Sequence, residues 1–154
     1  MNLIHIKIGD ESHPLHFGMA ALLEISQKLG AQPDNLFSAL DLNSHEQRLQ
    51  LVQIGLKHGA RKKARSNGNQ FDDKQAIYTD LFELSDLFDP RPEAFEEAIG
   101  YYYLQTYGKK MDVLIEESKK IEDEKVQAEF QNLKNAWEIL TDKAKASVSA
   151  DSTK

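Results

Sequence analysis

The sequence predicts a mainly α-helical fold in which a short N-terminal β-hairpin lies on a bundle of five to six helices, the last of them long. Three observations carry this. Ile4, Ile6 and Ile8 alternate with polar residues, as do Leu15 and Phe17, so each run sets its apolar side chains on one face of a strand. From Met19 the apolar residues recur three and four apart, the period of a helix packed on one side. Between Asp112 and Lys145 the chain holds neither glycine nor proline, the composition of a long helix.

The hairpin spans residues 2–17. Its turn falls at residues 9–12, Gly-Asp-Glu-Ser, which are rich in turn formers. The first helix presents Met19, Leu22, Leu23, Ile25 and Leu29 on its apolar side and Glu24, Gln27 and Lys28 on the other, and Gly30 is placed to end it as a left-handed C′ residue. A hairpin with one apolar face is not stable alone. It must lie on this helix and on others supplied downstream.

The order of residues here is a polar turn, His13-Pro14-Leu15-x-Phe17, Gly18-Met19, then Ala21-Leu22-x-Glu24 with Leu29-Gly30 closing the helix. It resembles the small tail assembly chaperones of long-tailed (siphovirus-type) bacteriophages, and the likeness extends through the helices to about Tyr107. The resemblance implies a short hairpin followed by a helical body, and a non-catalytic protein without a cofactor. Proteins of that kind act in the host cytoplasm and are absent from the mature virion. They bind the long helical tape measure protein and help recruit tail tube protein.

Beyond Gly30, Pro33 and Asp34 predict a turn at 31–35 and a short helical segment follows at 36–42. Ser44 and Gln47 have the capping-box spacing, so a helix starts there and carries Leu49, Val52 and Leu56 as a stripe. Its far end is basic, with Lys57, His58, Arg61, Lys62, Lys63 and Arg65 ahead of Ser66-Asn67-Gly68-Asn69. Cations favour a helix C-terminus, and the same cluster also suits a docking patch for an acidic partner or phosphates. Asp72 or Asp73 can cap the next helix, in which Ile77, Leu81, Leu84 and Phe88 recur at helical spacing, and Asp89-Pro90-Arg91-Pro92 breaks it. Glu93 opens another helix with Phe95, Ala98, Ile99, Tyr102 and Tyr103 on a wide apolar face. Tyr101, Tyr102, Tyr103 and Tyr107 cannot all point one way at 100° per residue, which places at least one at a boundary or on a partner-facing surface.

Gly108-Lys109-Lys110 marks a shift to a charge-dense C-terminal third. Val126, Phe130, Leu133, Trp137 and Leu140 follow a four-three-four-three spacing, the narrow seam of a helix packed lengthwise on another. Upstream, Leu114 and Ile121 continue the seam, which then slips between Ile121 and Val126. This helix either folds back on its own domain or pairs with a second copy or a client. The seam residues, with Tyr101 and Tyr107, are the candidate partner-binding residues. Residues 146–154 are small and polar and are predicted to be a disordered tail after a single domain at 1–145.

The whole chain bounds its chemistry. Its 154 residues and 40 % hydrophobic content suit one core, and no apolar run approaches the ~20 residues that span a bilayer. No basic segment followed by an apolar one opens the chain, which predicts a cytoplasmic protein without a membrane anchor. The absence of cysteine removes disulfides, thiolate metal sites and a thiol nucleophile. A net charge of −6 disfavours nucleic acid as a partner. His13 and His16 point to opposite faces of a strand and make a poor metal pair, while the acidic pairs, such as Glu96-Glu97 and Glu116-Glu117, fall on solvent faces of helices. There is no phosphate loop, nucleophile elbow or His-Glu-x-x-His, so neither an enzyme nor a metal or cofactor site is predicted. The alternatives to a chaperone are a protein-interaction or nucleic-acid-binding regulatory module and a structural tail or head-tail component.

Overall fold

In the computed structural model, which describes residues 3–30 and 44–152, the N-terminal strands β1 (Ile4–Ile8) and β2 (Glu11–Leu15) pair antiparallel, with Ile4 opposite Leu15 and Ile8 opposite Glu11. The two-residue turn Gly9-Asp10 closes them. Gly9 sits at φ +63°, the left-handed backbone that the first central position of such a turn requires. Six helices follow among the described residues: α1 (Met19–Leu29), α2 (His45–Ser66), α3 (Ala76–Thr79), α4 (Leu81–Phe88), α5 (Pro92–Ser118) and α6 (Glu124–Ser152). The turn at 31–35 and the helical segment at 36–42 lie outside the described residues.

The local signals place most of these boundaries. Gly30 ends α1 in the left-handed region, the Ser44 hydroxyl accepts from the Gln47 amide at the start of α2, and Pro92 stands in the first turn of α5. Three boundaries differ from the sequence prediction. Asp80, not Asp72 or Asp73, caps the main helix before Phe88, its carboxylate accepting from the amides of Phe82 and Glu83, so Ile77 falls in the separate single turn α3. Asp72 instead accepts from the Lys74 amide in a local turn. Helix α5 runs straight through Gly108, and the break comes at 119–123, where the Asp123 carboxylate accepts from the amides of Lys125 and Val126. Finally, α6 continues through Ser152 across most of the segment that composition marks as disordered. That segment contains no glycine or proline, so each added helical residue costs little.

Helix α2 is the hub, touching β2, α1, α3, α4 and α5, while α6 packs principally along α5. Two glycines let the hairpin lie flat on the hub. A Cβ at Gly59 would overlap the Pro14 carbonyl oxygen and stand 2.8 Å from the Leu15 amide nitrogen. At Gly55 it would overlap the Phe17 ring and stand 2.9 Å from Leu15 Cδ1. With no side chain in the way, the Gly55 carbonyl accepts from the His16 amide at 3.1 Å. Ile6, Ile8, Leu15 and Phe17 are thereby buried, with Phe17 edge-on to Tyr102 of α5 at 5.2 Å between ring centres. Helix α5 closes the other side, where Gln105 Oε1 accepts from the Phe17 amide and Arg91 Nη1 donates to the Lys7 carbonyl.

Gly59→Ala would gain about 1 kcal/mol of helix propensity but drive a methyl into the β2 backbone, for a net loss of roughly 1–3 kcal/mol. Gly108→Ala, with nothing within 4 Å of the added methyl, should raise stability by up to about 1 kcal/mol. Urea denaturation of the two variants should therefore move the midpoint in opposite directions.

Candidate functional site

The candidate seam on α6 is brought together, but against the chain's own α5. Leu133 and Trp137 are buried, Phe130 and Leu140 are half-buried against the core, and Val126 is 42 % exposed. Trp137 meets Tyr103 edge-on at 6.3 Å, and Thr141, wholly buried, donates from Oγ1 to the Trp137 carbonyl. The helices close tightly at Gly100, where a Cβ would lie 2.9 Å from both Ala144 Cβ and the Leu140 carbonyl. Of the two arrangements open to a long terminal helix, the fold-back is the one observed. Tyr101 and Tyr107 are likewise inside, not at a partner-facing surface, and so are Tyr102 and Tyr103. The four need not point one way because α5 is covered on two sides, by α2 and the hairpin on one and by α6 on the other. Burial, with the Tyr107 hydroxyl 3.5 Å away, raises the Tyr102 phenol above the ordinary tyrosine range.

Helix α1 is turned relative to its apolar stripe. Ala21 and Ile25 are its buried residues, while Met19 is 86 % exposed and Leu23 61 %. The rotation carries Glu24, a polar-face residue by spacing, towards α2. Lys28 and Lys57 each donate to Glu24 Oε2 at 2.7 Å, and His58 Nε2 lies 2.9 Å from Oε1. An ionised carboxylate only accepts, so His58 carries its hydrogen on Nε2. Burial by itself would raise the Glu24 carboxyl; the bonds from Lys28, Lys57 and His58 together outweigh it and lower the pKa to about 2.

The exposed apolar surface lies elsewhere. Leu84 and Phe88, one turn apart on α4, point into the core, which leaves Phe82 on the opposite side of the helix and 84 % exposed. Phe82 stands at the edge of a cleft of about 390 Å³ lined also by His45, Glu46, Leu49, Leu81 and Ser85. A second depression of about 230 Å³ shares His45, Leu49 and Ser85 and reaches Phe88 and Phe95. The two form one apolar trough between the first turns of α2, the α4 helix and the start of α5. Its floor is aromatic: Phe95 packs edge-on to Phe88 at 5.4 Å, with His45 at 5.9 Å and the Arg48 guanidinium over its ring. Arg48 is held in turn by Glu96 at 2.9 Å. The sequence signal for this surface is negative, since Phe82 is the large apolar residue that the Leu81, Leu84, Phe88 stripe leaves out.

Among the described residues no group of three or more His, Asp or Glu side chains converges as a metal site would require, and no helix is long and apolar enough to cross a membrane. Comparison with known proteins finds no matching family model, no matching curated protein and no matching solved structure.

Trp137→Ala should cost about 3–5 kcal/mol and lower or abolish the thermal transition of the isolated protein, read by circular dichroism. An unchanged transition would return the seam to the list of free surfaces. Glu24 makes a second prediction. Its folded pKa lies below the usual 4.5, so its stabilisation is complete above pH 4.5 and is lost as pH falls towards 2. Urea titrations across that interval should show wild type losing about 2–3 kcal/mol more than Glu24→Gln.

Proposed function

We propose that this protein is a tail assembly chaperone of a long-tailed bacteriophage that acts by covering apolar helical stripes of the tape measure protein. On this reading it is not an enzyme, works in the host cytoplasm, helps bring tail tube protein to the growing tail and does not enter the mature virion. The resemblance around Pro14, Phe17 and Gly30 supports it. The observation that carries it is the Phe82 trough, a largely apolar concavity with an aromatic floor and an aromatic side chain standing unburied at its rim.

The physical rationale is common to client and chaperone. A tape measure protein presents long apolar stripes that aggregate until the tube surrounds them. A trough between three helices takes such a stripe as side chains three and four apart dropping into successive depressions, the helix-in-groove mode. Covering Phe82 removes a full aromatic side chain from water, worth roughly 2–3 kcal/mol, and the net charge of −6 keeps the complex dispersed.

The test is co-expression with a tape measure protein encoded in the same genome. Tagged wild-type protein should retain the tape measure in the soluble fraction. Phe82→Ser should weaken retention about tenfold or more without lowering the melting temperature, because the ring is already in water. Failure to retain the tape measure, together with binding to duplex DNA at moderate salt, would replace the chaperone by the regulatory module. Recovery of the protein in purified particles would make it a structural component.

A further inference from the structure

Away from the Phe82 trough, the basic end of α2 and the first turn of α1 enclose a separate cavity of about 230 Å³. We infer that this cavity binds a compact dianion, a phosphate or a phosphomonoester group. His58, Arg61, Lys62 and Arg65 line it from α2 and His16 lines it from the end of the hairpin, and among the described residues no carboxylate does. Among the described residues neither Arg61 nor Arg65 makes an ion pair, although the chain as a whole carries an excess of six negative charges. Among the described residues the acid that bonds this end of α2 is Glu24, and it is already committed to Lys28, Lys57 and His58.

The chemistry of the lining selects among anions. Arg61 and Arg65 bring two guanidinium charges that make no ion pair among the described residues to one space, a charge that a dianion balances and a monoanion only halves. Guanidinium groups match the oxygen geometry of phosphate with paired donors, and Lys62 adds a point charge. Lys62 Nζ lies 3.4 Å from His16 Nε2, so the imidazole accepts from the ammonium and is neutral there. His16 itself is fixed by its backbone bond to Gly55. The residues of the first turn of α1, Met19 to Ala21, complete the lining from the side where Gly18 offers no capping side chain. At roughly 30 Å³ per water molecule, the volume holds a handful of waters, which suffices for one phosphate group but not for a nucleotide chain. The site is independent of the proposed chaperone activity.

The experiment is a titration of the full-length, ¹⁵N-labelled protein with inorganic phosphate at constant ionic strength. Saturable shifts of the Met19, Ala20 and Ala21 amides, with half-saturation in the low millimolar range or below, are expected. Arg61→Gln with Arg65→Gln should weaken that binding about tenfold or more at unchanged melting temperature, and Lys125→Gln with Lys143→Gln on α6 should leave it unaltered. Phenyl phosphate saturating the same amides would extend the site to monoesters; its exclusion would restrict the site to free phosphate. The inference is overturned if the shifts grow linearly with phosphate, if the control pair weakens binding equally, or if acetate binds as well as phosphate. It is also overturned if a short DNA duplex occupies these residues while phosphate does not.

Discussion

The fold depends on the seating of one ring. Phe17 lies over Gly55 of α2 on one side and edge-on to Tyr102 of α5 on the other, and its amide is bonded to Gln105 of α5. Through this contact the hairpin, the hub helix and the fifth helix share a single core. The contact is possible because Gly55 and Gly59 are spaced one turn apart and present bare backbone to β2. Two short strands with one apolar face gain too little by pairing with each other to persist. Laid against bare helix backbone they gain both burial and the His16 to Gly55 hydrogen bond, so the weakest element of the chain becomes one wall of the core.

Seating the hairpin there dictates what α5 must be. Its first half is covered by α2 and the hairpin, and its remaining surface is still apolar enough to require a second cover, which α6 provides through Leu133, Trp137 and Ala144. A helix enclosed on two sides accepts aromatic residues all round, which is why four tyrosines within seven positions can all be buried. The same geometry fixes the electrostatics of the hub. Turning α1 onto α2 brings Glu24 against Lys57 and His58, whose hydrogen bonds, with that of Lys28, outweigh the desolvation of the part-buried carboxylate. Once Glu24 is spent in this way, Arg61 and Arg65, one and two turns further along α2, make no ion pair among the described residues.

Much of this was legible residue by residue. The alternation through Ile8 and Phe17, the Gly30 stop, the Ser44 cap and the Pro90-x-Pro92 break each rest on local backbone chemistry, and each stands where the sequence predicts it. What failed did so where a local signal was outweighed by tertiary packing or read several positions too early. Gly108 lies in a helix interior because α5 is held along its length by α6, which offsets the modest cost of a glycine. The slip in apolar spacing between Ile121 and Val126 marks the turn between the two helices more faithfully than the glycine does. Asp80 rather than Asp72 is the cap because it directly precedes Leu81, where the helix that carries the buried pair Leu84 and Phe88 begins. The Gly55-x-x-x-Gly59 spacing is visible in the sequence, but only a partner lying across it gives it meaning, and that partner comes from forty residues earlier in the chain.

The candidate surfaces were harder to read for a related reason. A periodic apolar seam such as Val126 to Leu140 states that a helix will be covered, not by what, and here the cover is intramolecular. The residues that fall outside the periods are Phe82, off the stripe of its own short helix, and Arg61 and Arg65, which make no ion pair among the described residues. These two features have opposite chemistry and depend on different parts of the scaffold, one on the aromatic floor built by Phe88 and Phe95, the other on the approach of α1 to the end of α2. A protein whose core is already complete retains such residues only at a cost, since an unburied aromatic ring favours aggregation and like charges repel one another. Both costs would disappear on the two proposals made above, an apolar stripe covering the ring and an anion meeting the guanidinium groups, and it is on this unbalanced remainder of the fold that both proposals rest.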